Sequence, residues 1–335
     1  MTAQPFSNPP AIASHMPVPV VGGMRVETGA RLHFGPLAVG AGEGRRFGGI
    51  GLMVRDPGLV VDARPAESAS YHGPPELESR VKQTLGRLRE SSVVDATPPI
   101  QLRLTTGQSL HAGFGTGTQL ALAVAAAVLG VEASQASRLG ELTGRGARSA
   151  IGVHGFAQGG WLVDGGKQQA DGLGCLVARV DFPEQWPILL WIPHDTPGLC
   201  GEAERDAFRT LEGTPPAVTD RLASLVLRGL LPAIIEHDYD SFSAALAEYG
   251  EAVGQQFRTL QGGVLRSPSA RTVASWLAAR SVHAVAQTSW GPTIAAVLPN
   301  EASVRALLSE WPCTDGRLLV TRAMNHGAIV RQAPA

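Results

Sequence analysis

Short runs of alternating hydrophobic and polar positions dominate the first half of the chain and predict strands. The run Met24-Arg-Val-Glu-Thr-Gly predicts a first strand. Ile50-Gly-Leu-Met-Val and Gly58-Leu-Val-Val-Asp predict two strands that flank a turn at Asp56-Pro57, because proline and aspartate favour turns. The same alternation predicts three further strands, at 100–104, 160–164 and 176–180.

Helical spacing of apolar residues separates some of these strands. Four leucines and valines, three or four positions apart, lie on one face of a predicted helix over 76–91. An alanine-rich helix is predicted over 118–129, where small side chains allow close packing against a sheet. A shorter helix is predicted over 134–143, with Ser134 as its N-cap.

The hydrophobic pattern changes near Pro187. An apolar run at 188–192, bounded by prolines, predicts a buried strand. The elements predicted beyond it are helices at 202–211, 220–236, 240–260 and 301–311, a strand-turn-strand unit around 282–298 and a late strand at 318–321. We therefore predict two domains, 21–187 and 188–335, after a flexible leader at 1–20 that is rich in proline, alanine and serine.

Composition narrows the class of protein. The 335 residues are 44% hydrophobic and 17% charged, as in a globular protein with a substantial core. Lysine and arginine number 28 against 29 acidic residues, so no positive net charge favours nucleic acid or an anionic membrane. The longest apolar stretch, 120–129, is shorter than the roughly 20 residues of a membrane span. Three well-separated cysteines predict free thiols, and we expect a cytoplasmic enzyme.

A glycine-rich loop that runs into the alanine-rich helix is the strongest candidate binding site. A helix N-terminus attracts anions, and glycines let the backbone approach a phosphate closely. The predicted phosphate-binding residues are Gly113, Gly115, Thr116, Gly117, Thr118 and Gln119. The spacing is neither that of a Walker loop nor that of a dinucleotide fingerprint. A glycine turn that only caps the helix is the alternative.

Arginines stand between glycines at three other places and predict further contacts with an anion. Arg31 begins the segment Arg31-Leu-His-Phe-Gly, and Arg45 and Arg46 lie between Gly44 and Gly48. Arg145 and Arg148 follow in a third glycine-containing segment. Guanidinium groups bind phosphate or carboxylate through paired hydrogen bonds. The alternative for each segment is a solvated basic turn.

Two residues are candidates for catalysis. Asp164 ends a predicted strand just before two glycines, where a carboxylate can hold Mg²⁺ or act as a base. A turn-capping aspartate is the alternative. His33 is the second candidate, and His111 and His326 are retained beside it, although a lone histidine is more often structural.

These motifs, in this order, resemble those of the GHMP kinase superfamily. His111-Ala-Gly-Phe-Gly-Thr-Gly-Thr-Gln resembles its phosphate loop, and Gln287-Thr-Ser-Trp-Gly-Pro-Thr resembles its third motif, which adds Ser289 and Gly291 as candidate substrate contacts. The resemblance implies an α+β, two-domain GHMP-kinase-like fold, with a ribosomal-protein-like βαβ N-terminal domain and a ferredoxin-like α/β C-terminal domain. Gly152 stands where the kinases have a catalytic aspartate. This departure argues against phosphoryl transfer by their usual route.

Several segments together are similar to a narrower family, the β-ribofuranosylaminobenzene 5′-phosphate synthases. The segments begin at Arg31, Arg45, Gly117, Arg148, Gly159 and Ser289. The resemblance implies that phosphoribosyl pyrophosphate condenses with 4-aminobenzoate or 4-hydroxybenzoate, releasing CO₂ and pyrophosphate, in tetrahydromethanopterin biosynthesis. It also implies Mg²⁺ and a homodimer. The alternatives are an ATP-dependent small-molecule kinase of the GHMP type and a non-catalytic metabolite-binding homologue.

Overall fold

A computed structural model describes residues 23–40, 44–91, 99–107, 113–168, 172–194, 211, 213–288, 291–312 and 315–334. The predicted leader at 1–20 and nearly all of the predicted helix at 202–211 lie outside these ranges.

Two β-sheets form the framework. The strands are β1 Met24–Gly35, β2 Gly49–Pro65, β3 Ser70–His72, β4 Ile100–Thr106, β5 Trp161–Asp164, β6 Leu176–Val180, β7 Ile188–Pro193, β8 Val285–Gln287, β9 Ile294–Val297, β10 Gly316–Thr321 and β11 Ile329–Gln332. The first sheet has seven strands in the order β11-β1-β2-β4-β3, with β5 paired to β2 and β6 paired to β5. The second has four, in the order β10-β7-β9-β8.

Helices cover these sheets. They are α1 Pro75–Glu90, α2 Thr116–Leu129, α3 Ala136–Thr143, α4 Ile151–Gln158, α5 Pro216–Leu225, α6 Leu231–Glu236, α7 Tyr239–Gln261, α8 Pro268–Ala278 and α9 Glu301–Ser309, with a π-helical turn, Val226–Leu230, joining α5 to α6. Helix α2 is central: it contacts β1, β2, α1, α3 and α4. Its alanines are all buried, because a small side chain lets the helix approach neighbours on several sides.

The predicted turn at Asp56-Pro57 is wrong. Strand β2 continues through it, because the residues before and after it both pair with β1: Ala30 pairs with Val54 and Thr28 with Leu59. The intervening residues of β2 therefore form a bulge within one strand, and the chain does not reverse there.

Other helix predictions differ from the structure at their ends. Helix α2 begins at Thr116, two residues before the predicted start. Ser134 is not an N-cap; it lies inside a short 3₁₀ turn, Ala133–Gln135, that precedes α3 and has no side-chain cap. Helices α4 and α8 were not predicted. The start of α8 carries a recognisable signal, since the Ser267 side chain accepts the N–H of Ala270.

One large core joins the two sheets. Leu32, Phe34 and Trp161 of the first sheet belong to the same buried cluster as Ile188 of the second and Tyr249 of α7. The Tyr249 hydroxyl donates to the backbone oxygen of Gly35 at 3.0 Å. The second sheet begins close to the predicted boundary at residue 187, but β11 returns from the C-terminal part to pair with β1. The two-domain division stays a prediction.

Candidate functional site

A cationic cavity of about 180 Å³ lies at the N-terminal end of α2. Five residues singled out in the sequence line it together: Arg31, His33, Thr118, Arg145 and Arg148. They come from β1, from the first turn of α2 and from the loop between α3 and α4. The fold thus brings three of the five predicted arginines to the helix end where an anion is favoured.

Glycine at position 115 allows Arg31 to reach this helix. The backbone of Gly115 is left-handed, with φ 66°, and a Cβ atom there would lie 2.7 Å from the Arg31 Nε. The Arg31 backbone N–H also donates to the oxygen of Phe114 at 2.9 Å, which ties β1 to the glycine loop. Glycine in this loop therefore leaves room for the Arg31 side chain as well as for a ligand.

The loop after α3 places Arg145 beside other positive charges. Gly144 and Gly146 both have left-handed backbones, which turn the chain sharply after the helix. Burial lowers the pKa of the Arg145 guanidinium, and the nearby charges of Arg87 and Arg80 lower it further. Its Nε is buried and has no hydrogen-bond partner among the described residues. This side chain therefore holds its positive charge close to two others.

His33 is a neutral histidine in the cavity wall. Only 4% of the residue is exposed, and burial, with the Arg31 charge, holds its pKa well below the usual value of 6.5. Its Nδ1 accepts the backbone N–H of Gly35 at 3.2 Å. The ring proton of the neutral form must then sit on Nε2, which finds no partner in the described part of the chain. His33 is thus built to donate a hydrogen bond. Its catalytic role stays a prediction.

Gln119 and Gly152 connect the glycine loop to α4 below the cavity. Gln119 is fully buried; its Nε2 donates to the Gly152 oxygen at 2.8 Å, and its Oε1 accepts from the Thr28 hydroxyl at 2.9 Å. Its amide thus faces the interior. A Cβ atom on Gly152 would lie 3.0 Å from the Thr118 Cγ2. A carboxylate side chain at 152 would crowd the threonine that lines the cavity.

The third sequence motif lies against the glycine loop. A Cβ atom on Gly113 would lie 2.5 Å from the Thr288 Oγ1 and 3.2 Å from the backbone oxygen of Gly291. The phosphate-loop motif and the third motif, far apart in the sequence, are thus in contact in the fold. Ser289 and His111 lie outside the described residues. Thr116 and Gly117 form the first turn of α2, and Thr116 is buried.

Arg45 and Arg46 do not line the cavity. The Arg45 guanidinium donates to the backbone oxygens of Gly165 and Gly166 at 2.9 and 2.8 Å. Arg46 pairs through its backbone with Lys167, and its side chain is exposed. This geometry gives the Arg45 side chain a local structural role. A substrate contact by either residue stays a prediction.

Asp164 holds two loops together. The residue is 1% exposed, and its two carboxylate oxygens accept the backbone N–H groups of Ala150 at 2.7 Å and Gly166 at 2.8 Å. Burial nevertheless raises its pKa. The described residues contain no group of three acidic, histidine or cysteine side chains that could hold a metal. Both carboxylate oxygens of Asp164 are engaged by backbone N–H groups, which favours the turn-capping alternative. Its roles as a Mg²⁺ ligand and in catalysis stay predictions.

Two arginines and two phenylalanines near this site were not predicted. Arg80 and Arg87 of α1 approach Gly117 and Gly144 respectively. Phe47 and Phe257 line the cavity. Residues seven apart share a face of a helix, but that spacing alone does not distinguish these arginines from others on α1. Phe47 has a left-handed backbone, with φ 65°, which is uncommon for a bulky residue.

A larger cavity, of about 420 Å³, lies near the β2 bulge. Its wall includes acidic Asp56 and Glu27 as well as Arg55 and Arg317. A wall of mixed charge is less suited to a polyanion than the cavity at α2. Across the described ranges, no helix combines the length and the apolar character that crossing a membrane requires.

Comparison with curated proteins gives relatives of one kind. The chain is 27% identical to a beta-ribofuranosylphenol 5′-phosphate synthase from Methanothermobacter thermautotrophicus, over 91% of this chain and 98% of that protein. It is 28% identical to the protein of the same name from Archaeoglobus fulgidus, with the same coverage. A third, from Methanocaldococcus jannaschii, is 26% identical over 67% of this chain and 75% of the relative. No family model matches the chain.

Solved structures of GHMP kinase fold resemble the whole chain. Homoserine kinase from Cytophaga hutchinsonii matches with a TM-score of 0.62 and 15% identity, over 92% of this chain and 98% of that one. Mevalonate pyrophosphate decarboxylase from Streptococcus pyogenes matches with a TM-score of 0.64 and 11% identity, over 92% and 98%. At these identities the likeness concerns the fold alone. It confirms the predicted α+β fold of GHMP type, and the curated relatives confirm the narrower resemblance.

Proposed function

We propose that this protein is a pentosyltransferase that joins phosphoribosyl pyrophosphate to 4-hydroxybenzoate and releases pyrophosphate and CO₂, a step of tetrahydromethanopterin biosynthesis. The observation that carries the proposal is the cluster of Arg31, Arg145 and Arg148 in one cavity at the N-terminus of α2. Phosphoribosyl pyrophosphate has phosphate groups at both ends of its ribose. Such a substrate needs several cations and helix-end N–H groups in one place.

The reaction balances without removal of a ring proton. The bond between ribose C1 and the pyrophosphate oxygen breaks, and pyrophosphate leaves with the electron pair. A carbon–carbon bond forms between C1 and the ring carbon that carries the carboxylate. The bond to that carboxylate then breaks, its electron pair returns to the ring, and CO₂ leaves. A site without an aspartate at position 152, and with His33 set as a donor, suits this chemistry.

The main catalytic effect we assign to the arginines is stabilisation of the leaving group. Negative charge grows on the pyrophosphate as its bond to C1 breaks, while positive charge develops on the ribose. Fixed cations that already face the leaving oxygen stabilise this charge with little reorganisation. Arg145, partly desolvated and flanked by other arginines, is the most suitable of the lining residues for this role.

The acceptor is an aromatic acid, and two cavity residues suit its ring. Phe47 and Phe257 line the same cavity as the arginines, so an aromatic ring can pack beside the cationic wall. The curated relatives are named for a ribofuranosylphenol product. We therefore propose 4-hydroxybenzoate as the acceptor in preference to 4-aminobenzoate.

Kinase activity is not favoured by the same geometry. Glycine at 152 supplies no carboxylate, and the Thr118 methyl lies where a side chain from 152 would extend. Mg²⁺ enters the proposal as a counter-ion bound to the pyrophosphate of the substrate, as is common for Mg²⁺ and phosphates. The cytoplasmic location and the homodimer remain predictions.

The experiment combines the purified full chain with phosphoribosyl pyrophosphate, Mg²⁺ and carboxyl-labelled 4-hydroxybenzoate, and traps CO₂. We expect labelled CO₂ to appear only when both substrates are present, with one pyrophosphate for each CO₂. A matched reaction with 4-aminobenzoate tests the choice of acceptor. Consumption of ATP with an alcohol, without CO₂ release, would instead support the kinase. Binding of the substrates without turnover would support the metabolite-binding homologue.

A further inference from the structure

Helix α1 presents two arginines toward the N-terminal end of α2. Arg80 and Arg87 lie seven positions apart, so they share one face of α1. The Arg80 Nη1 would lie 2.8 Å from a Cβ atom on Gly117, and the Arg145 Nη1 3.6 Å from the same point. These two guanidinium groups therefore both approach the first turn of α2, one from α1 and the other from the loop after α3.

Arg87 adds a third guanidinium group to Arg80 and Arg145, next to the C-terminal end of α3. Its Nη1 donates to the Thr143 oxygen at 2.6 Å, and the same nitrogen would lie 1.9 Å from a Cβ atom on Gly144. A side chain at 144 would displace this guanidinium, and the left-handed backbone of Gly144, with φ 65°, favours glycine there. Arg87 is thus fixed next to Arg145, with further N–H groups beyond the one that Thr143 uses.

Positive charge accumulates here without a counter-charge from the described residues. No ion pair with a carboxylate is found in the described ranges for Arg80, Arg87 or Arg145, whereas other arginines of the protein pair with glutamate, as Arg221 does with Glu248. Burial lowers the pKa of the Arg145 guanidinium, and the nearby charges of Arg87 and Arg80 lower it further. Like charges held together at this cost point to an anionic ligand.

A second observation also points to a ligand at this end of α2. The Arg145 Nε and the His33 Nε2 are both buried donors without a hydrogen-bond partner among the described residues, and both residues line the cavity. His33 is more than nine-tenths buried. Buried donors normally find an acceptor, so a bound anion accounts for two groups that the protein leaves unsatisfied.

We propose that Arg80 and Arg87 of α1, together with Arg145, form the subsite for the pyrophosphate end of the ribosyl donor. This inference rests on the proposed function, because it assigns one end of the proposed substrate. Three guanidinium groups around a helix N-terminus match a group with three or more negative charges. Arg145 lines the cavity with Arg31 and Arg148, whereas Arg80 and Arg87 of α1 approach Gly117 and Gly144 beside it. The 5-phosphate end then lies toward Arg31 and Arg148.

The test compares Arg80→Ala with Arg89→Ala, a matched control on the same helix whose side chain is exposed. Binding of inorganic pyrophosphate and of ribose 5-phosphate is measured by calorimetry on the full chain. We expect Arg80→Ala to weaken pyrophosphate binding about tenfold or more, as loss of a charged hydrogen bond does. We expect ribose 5-phosphate binding to be unchanged, and Arg89→Ala to resemble the wild type for both.

Two results would overturn the assignment. The first is unchanged pyrophosphate binding by Arg80→Ala, and the second is an equal loss for both ligands. Arg87→Lys provides a further check, because it keeps the charge at that position; we expect it to retain more pyrophosphate binding than Arg87→Ala. A thermal melt of each variant shows whether it is folded.

These binding measurements do not require turnover. A wild type that binds pyrophosphate through Arg80 but releases no CO₂ would refute the proposed function alone. A wild type that releases CO₂ while Arg80→Ala keeps the wild-type KM for phosphoribosyl pyrophosphate would refute the subsite alone.

Discussion

Two segments of this chain combine glycine with a pair of arginines, yet the fold uses them differently. In 44–51, Arg45 closes the turn that follows β5 by binding backbone oxygens, and the Arg46 side chain is exposed. In 143–152, Arg145 and Arg148 line the cavity at the N-terminus of α2. In both cases the glycines and arginines predict a loop whose backbone and guanidinium groups can come close to a binding partner. They do not predict whether that partner is a ligand or the protein's own backbone.

The neighbours of each segment explain the difference. The first is paired on both sides: the Arg46 N–H donates to the Lys167 oxygen, and the Lys167 N–H donates to the Arg46 oxygen, each at 2.9 Å. The second follows the end of α3, where left-handed glycines turn the chain toward the cavity. Asp164 links the second segment to the turn that Arg45 binds, since it accepts N–H groups from Ala150 and Gly166.

The largest expected effect comes from removing this link. Asp164→Ala leaves the N–H groups of Ala150 and Gly166 without their acceptor in a buried site. Each such group costs about 1–3 kcal/mol of the free energy of unfolding. Urea unfolding measures the loss, and Asp164→Asn, which keeps one acceptor oxygen, should fall between the wild type and Asp164→Ala. An unchanged unfolding midpoint in Asp164→Ala would contradict the structural role and renew the case for a metal ligand.

Arg145→Ala should reduce binding of the ribosyl donor most among the cavity variants. Loss of a hydrogen bond to a charged group costs about 1.5–3 kcal/mol, or about tenfold to a hundredfold in KM for phosphoribosyl pyrophosphate. The KM for the aromatic acceptor should change less, because its ring is assigned to the phenylalanine wall. Steady-state kinetics of CO₂ release measure both constants. Equal changes in Arg145→Ala and Arg45→Ala would remove the contrast between the two segments.

The sequence predicted most elements because their signals are local. The alternation of β1 and the apolar spacing of α1 depend only on neighbouring residues, and both predictions are confirmed. The bulge in β2 was missed because the Asp56-Pro57 pair looks the same in a bulge as in a turn; only pairing of both halves with β1 distinguishes them.

The site was predicted in part for a similar reason. Arg31, Arg145 and Arg148 lie in glycine-containing segments, so the sequence itself singled them out. Arg80 and Arg87 lie on an ordinary amphipathic helix, where exposed arginines are common, and nothing local distinguishes them from Arg89. Their significance depends on the packing of α1 against α2, which is a long-range property of the fold.

Gly115→Ala should disturb the cavity through the backbone. The left-handed conformation at 115 costs a residue with a Cβ atom about 1–2 kcal/mol, and that atom would meet the Arg31 Nε at 2.7 Å. We expect lower stability together with weaker donor binding. Gly86→Ala is the matched control, because a Cβ atom there meets nothing within 4 Å in the middle of α1. That substitution should stabilise the protein by about 0.5–1 kcal/mol. Identical effects of the two substitutions would be inconsistent with a role for Gly115 in placing Arg31.

Burial of His33 predicts that the free energy of unfolding depends on pH. Its pKa in the folded protein lies well below 6.5. Just below pH 6.5, the histidine is therefore protonated in the unfolded chain but neutral in the folded one. The stability that neutral His33 contributes is present above about pH 6.5 and is lost as pH falls, by up to about 1.4 kcal/mol per pH unit. Urea unfolding of the wild type and His33→Gln across this range measures the difference. Parallel curves would show that the histidine titrates normally.

Arg46→Ala should have the smallest effect of all, although the sequence placed Arg46 among the phosphate contacts. Its backbone pairing with Lys167 does not depend on the side chain, and an exposed side chain contributes little to stability. We expect a change within about 0.5 kcal/mol in the free energy of unfolding and no change in the KM for phosphoribosyl pyrophosphate. Arg45→Ala is the comparison in the same segment: it removes the bonds to Gly165 and Gly166, so it should lower stability more than donor binding. A raised KM in Arg46→Ala alone would mean that the first segment moves to meet the substrate, and the two glycine–arginine segments would then act on the same ligand.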